Sequence, residues 1–386
     1  MSSVRSDVLV RIVAVGILAV AASTVGYAQQ LVIKARGYVT PDGSLQRGAV
    51  VVIDDGKIVS VNSEEAGQAE THEYADAVLC PGLIDIDASL SAVSQLAESA
   101  NPILADATAQ DALDPYAKQL RRALHAGVTT FLLAPDDSNL VGGQSALCST
   151  VAGDSATMPG PLKISLAPSV YRASFEPSSR AGAMQMLRHA ISQARSAAAE
   201  SDNDTALKSF ADGGIAAIVT APFGADVFAA AQLAKETQVK LIVLHVRDAA
   251  RVADVAGDFA GVVVGPYSIS ADQKSAAAAG IFAKAGVPVA IAGGTPFAAE
   301  SSLRFGAAMA ARNGLSLELA RQAITSTPAK LLKVDDKIGS IEAGRAADLV
   351  IFSGDPLDLR SRVVAVYKNG ALVYRAETTD DASLEK

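Results

Sequence analysis

Histidine is scarce in this chain, with four residues in 386. That limits any centre built mainly of imidazoles, because a hydrolytic zinc site takes about three protein ligands plus an open position. Cysteine is scarcer still: Cys80 and Cys148 are the whole supply, which excludes a disulfide framework. Positive charge is the minority sign, 33 Lys and Arg against 41 Asp and Glu, for a net charge of -8 and a pI near 5.1. With no basic cluster, neither nucleic acid nor an anionic membrane is expected as the main partner. The chain has no Gly-x-Gly-x-x-Gly loop and no P-loop. Gly142-Gly143 alone is too little to signal a nucleotide site.

The remaining composition is that of a globular protein, 50% hydrophobic and 19% charged, with ample material for a large core. The length suits one α/β barrel or two modest domains. Residues 1–28 read as a secretory signal peptide. Arg5 and Arg11 form a positive start, and Ile12 to Ala22 is an apolar run too short to span a bilayer comfortably. Gly26-Tyr27-Ala28 puts small residues at the cleavage positions. Cleavage after Ala28 predicts a periplasmic or secreted protein starting at Gln29; the alternative is an uncleaved N-terminal anchor. No cysteine follows the apolar run, so no lipoprotein is expected. No second long apolar run exists, so no membrane association is expected after cleavage. Cys80 and Cys148 fall on segments read as the first and third strands of a barrel, which are not neighbours, and are expected to be two buried thiols.

Strand signals cluster at both ends. Leu31 to Ile33, Gly48 to Ile53 and Ile58 to Val61 read as strands, with Asp54 to Lys57 as a hairpin turn. Ala347 to Phe352 and Val363 to Tyr367 read likewise, and Asn369-Gly370 turns into Ala371 to Tyr374. This predicts one small β-sandwich assembled from residues 29–79 and 337–376, followed by a polar tail over 377–386. Between the ends lie eight apolar, β-branched runs: Leu83 to Ile86, Val128 to Leu133, Ala146 to Val151, Lys163 to Leu166, Ala216 to Ala221, Leu241 to Val246, Gly261 to Val264 and Pro288 to Ala292. Alanine-rich helical stretches separate most of them, the clearest at Gln185 to Ala199, Asp226 to Lys235, Asp272 to Ala285 and Ser316 to Ile324. Ser316 is placed as an N-cap. The pattern predicts an α/β fold, a (β/α)8 TIM-type barrel over residues 80–336. An open doubly wound sheet is the competing architecture.

Several motifs resemble the amidohydrolase superfamily, in particular its imidazolonepropionase-like and related metal-dependent members. Pro81-Gly82-Leu83-Ile84-Asp85 resembles the frame of the family's first barrel strand, and Ala126-Gly127-Val128-Thr129-Thr130 its second. Asn139 to Ala146 resembles a following Gly-Gly-Gln loop. The most specific block is Thr327-Pro328-Ala329-Lys330 with Ile338 to Val350, which in the family returns the chain from barrel to sandwich. The resemblance covers essentially the whole mature chain. It implies metal-assisted hydrolysis, in which divalent ions activate a water at the C-terminal ends of the barrel strands. The family's ligands are His-x-His on strand one, a Lys or Glu on strand four, a His on each of strands five and six, and an Asp on strand eight.

On this chain the two first-strand histidine positions read Asp87 and Ser89. The end of the fourth strand, Leu166 to Ser169, offers neither Lys nor Glu. Thr220 stands at the fifth and Gly294 at the eighth, and only His245, on the sixth, is kept. His125 and His189 fall in helical stretches and His72 precedes the barrel. Asp85, Asp87, Ser89, Thr220, His245 and Gly294 are therefore the pocket candidates, with His245 the one retained metal-ligand position and no catalytic residue assigned. Asp85 reads as a hydrogen-bonding partner near the strand end, and a hard cation held by Asp85 and Asp87 is a minor alternative. Strand ends meet at a barrel mouth, so Ser89, His245 and Asp87 are expected to converge there, yet no oxyanion hole or nucleophile elbow is evident in the sequence. The expectation is a non-catalytic pseudoenzyme with no cofactor, binding a small molecule or pairing with an intact amidohydrolase paralogue or with its own copy. The alternative is a hydrolase of non-peptide carbon–nitrogen bonds with an atypical or metal-free site, a divalent metal such as zinc being the cofactor expected on that alternative.

Overall fold

Two sheets organise the chain. The computed structural model describes residues 30–377 apart from 64–68, 89–95, 99, 173, 197–204, 269 and 295–301. The predicted signal peptide, Ser89 and all of the polar tail but its first residue lie outside the described residues. Among the described residues no helix is long and apolar enough to cross a membrane.

The N-terminal strands β1 (Leu31–Val39), β2 (Leu45–Asp54), β3 (Lys57–Val61) and β4 (Glu70–Pro81) join one sheet. The barrel strands follow: β5 (Leu83–Asp85), β6 (Val128–Leu133), β7 (Val141–Ser149), β8 (Thr157–Ser165), β9 (Ala217–Thr220), β10 (Leu241–Leu244), β11 (Gly261–Val264) and β12 (Val289–Ile291). The C-terminal strands β13 (Leu349–Phe352), β14 (Val363–Lys368) and β15 (Ala371–Arg375) then return to the first sheet, whose order is β15-β14-β13-β4-β1-β2-β3. The helices are α1 (Lys118–His125), α2 (Arg180–Ser196), α3 (Thr205–Ala211), α4 (Gly224–Thr237), α5 (Ala249–Val252), α6 (Gln273–Lys284), α7 (Ser302–Arg312), α8 (Leu317–Gln322) and α9 (Ser326–Leu331).

The terminal sheet forms because its strands alternate. Leu79, Leu349 and Ile351 face an inner sandwich core with Ile33, Val51 and Tyr367. Their neighbours Val78, Cys80, Val350 and Phe352 turn the other way and join the core shared with the barrel. Both predicted hairpin turns carry two successive positive φ angles, Asp55 and Gly56 at 47° and 73°, Asn369 and Gly370 at 47° and 75°. That is the geometry two-residue hairpins need. Cys80 belongs to this sheet, paired with Val350, and not to the first barrel strand where the sequence reading put it. Cys148 does lie on the third barrel strand, and both thiols are buried and unbridged.

The barrel sheet runs β5 through β12 in order and nearly closes. One feature departs from a regular (β/α)8 design: β7 is antiparallel to both β6 and β8, while the other ladders are parallel. The connections explain it. Seven residues separate β6 from β7 (134–140) and seven separate β7 from β8 (150–156), whereas a parallel crossover needs about a dozen or more. Inside the barrel, Ile84, Leu132, Leu147, Ile218, Leu244 and Ala290 pack together. Leu331, Leu332, Val334 and Ile338, from α9 onward, close its lower end.

The seam between β5 and β12 is joined by other means. The α8–α9 connection lies across it, accepting from Ile84 N–H at Ile324 O (2.9 Å) and from Ile291 N–H at Ala323 O (3.0 Å). Above it, the buried Asp85 carboxylate accepts the Gly293 N–H at 3.0 Å and the Asp87 N–H at 3.2 Å. Position 293 must be glycine, because a Cβ there would stand 2.2 Å from Asp85 Oδ2. Barrel and sandwich meet through Asp348 of the C-terminal block. Its carbonyl accepts the Gly82 N–H at 2.8 Å, and its buried carboxylate pairs with Lys368 Nζ at 2.6 Å.

Candidate functional site

Barrel strands deliver their last residues to one rim, and four polar side chains meet there. Asp87 follows β5, Asp137 lies in the short β6–β7 connection, Thr220 ends β9 and His245 follows β10. A fifth comes from below. Leu162 and Ile164 on β8 pack toward the helices, so the pleat turns Lys163 to the barrel interior. The chain of methylenes then carries its ammonium up to the rim. Lys163 Nζ donates to Thr220 Oγ1 at 2.7 Å and pairs with Asp137 Oδ1 at 2.9 Å. The lysine is 4% exposed.

His245 Nε2 lies 3.2 Å from Asp87 Oδ2, and its Nδ1 lies 3.4 Å from the Gly265 carbonyl. Both partners are acceptors, so both contacts are satisfied together only when both ring nitrogens carry protons. Burial works against that charge, but the hydrogen bond and negative charge of Asp87 outweigh it and hold the imidazole above its ordinary value of 6.5. The same balance holds for the acids. Burial resists ionisation of Asp87, and the hydrogen bond and charge of His245, with Lys163 behind it, pull it below the usual carboxylate range. For Asp137 burial is outweighed by the charge of Lys163, the hydrogen bonds of Thr220 and Lys163 and the charge of His245, and its pKa is again lowered. With His245 protonated, the cluster sets two cations against two anions. His245 also adopts a left-handed backbone, φ 62°, which costs a non-glycine residue about 1–2 kcal/mol.

Thr220 and His245 line an open cavity of about 440 Å³ that continues over Pro222, Val264 and Pro266. At its rim the Arg247 guanidinium lies 5.3 Å from the centre of the exposed Phe223 ring.

Of the sequence candidates, Asp87, Thr220 and His245 come together. Asp85 does not join them, since it is buried and engaged at the seam. Gly294 reaches the rim but brings no side chain: its φ is 67° and a Cβ would stand 2.5 Å from Pro266. Ser89 lies outside the described residues. The reading that the fourth strand contributes no lysine is corrected, because it considered only Leu166 to Ser169 while Lys163 reaches the rim from two residues below the strand end. Asp137 was also missed. The signal for Lys163 was available, a lone charge within the apolar run Leu162 to Leu166. Asp137 carried none, being one acid in a polar loop.

These residues do not fit the family's hydrolytic zinc centre. The one imidazole is held between two acceptors, each nearby carboxylate already faces a protein cation, and Thr220 is a neutral oxygen engaged by Lys163. Among the described residues no group of three or more His, Cys, Asp or Glu side chains is placed to hold a metal ion.

Comparison with known proteins agrees with the fold. A sequence model of the amidohydrolase family matches residues 297–374. An amidohydrolase from Thermotoga maritima MSB8 superposes with a TM-score of 0.81 at 25% identity, covering 90% of this chain and 100% of that one. An adenosine deaminase from Xanthomonas campestris with bound zinc superposes at 0.55 and 17% identity, covering 92% and 96%. A prolidase complexed with N-methylphosphonate-L-proline superposes at 0.57 and 17%, covering 90% and 100%. No curated protein matches the chain. The chain belongs to the amidohydrolase superfamily.

Proposed function

We propose that this protein is a non-catalytic member of the superfamily, exported by its N-terminal segment, that binds a small molecule at the barrel mouth or serves as the partner of an intact paralogue. The observation that carries this reading is the Lys163–Thr220–Asp137 and His245–Asp87 cluster. It balances its own charge, two cations against two carboxylates, with no ion required. A doubly protonated His245 has no lone pair for a metal and no capacity to act as a general base.

The alternative, a hydrolase of non-peptide carbon–nitrogen bonds, is favoured by one specific observation. Lys163 restores a lysine to the fourth strand, so two of the family's ligand positions are kept and not one. Elemental analysis decides between them. The full-length protein, equilibrated with zinc at pH 7.5 and desalted, is expected to retain less than about a tenth of an equivalent, against the one equivalent a three-ligand site would hold. Stoichiometric zinc that is lost in His245→Ala would overturn the non-catalytic reading.

A further inference from the structure

The opposite end of the barrel carries a second cavity, of about 490 Å³. Its position is fixed by the strands: Ala216, Lys240, Ala260 and Pro288 each immediately precede a barrel strand, β9 to β12 in turn. It is therefore at the N-terminal face, away from the rim where barrel active sites lie. The α8–α9 region supplies the facing wall, with Leu319 and Leu331, and Leu319 remains 43% exposed.

The lining combines this apolar wall with charge of one sign. Lys240, Lys330 and Lys333 border the cavity and no acidic residue does, in a chain where acids outnumber bases 41 to 33. Lys333 is committed to the fold, donating to the Gly214 carbonyl at 2.6 Å. Lys240 and Lys330 are exposed and, among the described residues, have no carboxylate partner. The volume falls within the range of small-molecule sites, about 300–1,000 Å³. An apolar wall with lysines at its edge matches a molecule with an apolar body and an anionic head.

We infer that this N-terminal cavity binds a free amphiphilic carboxylate, its chain against Leu319 and Leu331 and its head between Lys240 and Lys330. The site is independent of the reading given to the barrel mouth. Isothermal titration of the full chain with decanoate, below its micellar concentration, tests it. One saturable equivalent is expected, with decanol binding at least tenfold more weakly. The double reversal Lys240→Glu and Lys330→Glu is expected to weaken decanoate about tenfold, the effect of losing two partly solvated attractions and adding two repulsions. Leu319→Asp is expected to do the same by removing the exposed apolar wall. Both sites are exposed, and unchanged circular dichroism and melting temperature confirm that the variants fold. Absence of saturable binding overturns the inference. So does equal binding of decanol, or affinity that survives the double reversal, which would place the ligand at the mouth or elsewhere.

Discussion

Replacing Asp87 by asparagine isolates the charge on His245. The pair is 3.2 Å apart, with side chains 26% and 32% exposed. Fully exposed ion pairs contribute about 0.2–1 kcal/mol, and breaking fully buried ones costs about 3–5 kcal/mol. This pair lies between, at about 1.5 kcal/mol. The folded pKa of His245 is raised, so its contribution is complete below the unfolded value near 6.5 and fades as pH rises through the folded value. Asp87 is lowered, so its contribution is present above its ordinary value of 3.8 and is lost as pH falls through the folded one. The pair is therefore fully formed from about pH 4 to 6.5.

Imidazole NMR reads this directly, because only four histidines titrate, and His245→Gln identifies the signal. In the wild type His245 is expected to titrate above 6.5; in Asp87→Asn it is expected lower. In parallel, Asp87→Asn is expected to lower the melting temperature by about 2 °C at pH 5.5, with less than half that loss at pH 9, where the imidazole is neutral in both proteins. A wild-type His245 titrating below 6.5, or one unmoved by Asp87→Asn, refutes the doubly protonated assignment.

Two further outcomes follow from the same structure. Lys163→Met removes the ion pair with Asp137 and the hydrogen bond to Thr220; because Asp137 is about a third exposed, the cost expected in urea unfolding at pH 7 is about 2 kcal/mol, below the range for fully buried pairs. Burial pushes the Cys80 and Cys148 thiols up to about 12, so Ellman's reagent at pH 8 is expected to find no rapidly reacting thiol in the native protein and two after denaturation.

The fold was largely legible because its signals are periodic and local. The eight apolar runs gave the barrel strands, Asp55-Gly56 and Asn369-Gly370 gave the hairpins, and Ser316 does cap α8, accepting from Leu319 N–H at 3.2 Å. The antiparallel β7 was not legible, because the apolar runs leave about a dozen residues on either side of Ala146 to Val151, close to the length of a crossover, and only the longer strands of the structure, β7 from Val141 and β8 from Thr157, shorten both connections. Cys80 was misplaced because Val78 to Ile84 reads as one apolar stretch, while the chain leaves the terminal sheet at Pro81 and enters the barrel at Leu83. The site was less legible, because motif positions mark where ligands sit in relatives and not which other side chains reach the same space. Asp85 shows the converse: it matches the motif, yet its carboxylate is spent joining β5 to the segment after β12.

Lys163 shifts the weight of the argument about the missing ligands. Asp87 stands where the resemblance expects a histidine, and a carboxylate at a partly buried rim is costly unless it is paired. At this rim Asp137 faces Lys163, and Asp87 faces an imidazole whose second nitrogen is held by the Gly265 carbonyl. With His245 protonated, two cations of the chain face two carboxylates, and a network without net charge has little attraction left for a divalent metal. A hydrolytic site would need the reverse arrangement, with Lys163 released from Asp137 and His245 deprotonated. On the non-catalytic reading proposed above, the retained lysine and histidine supply the positive charge that a metal would otherwise bring.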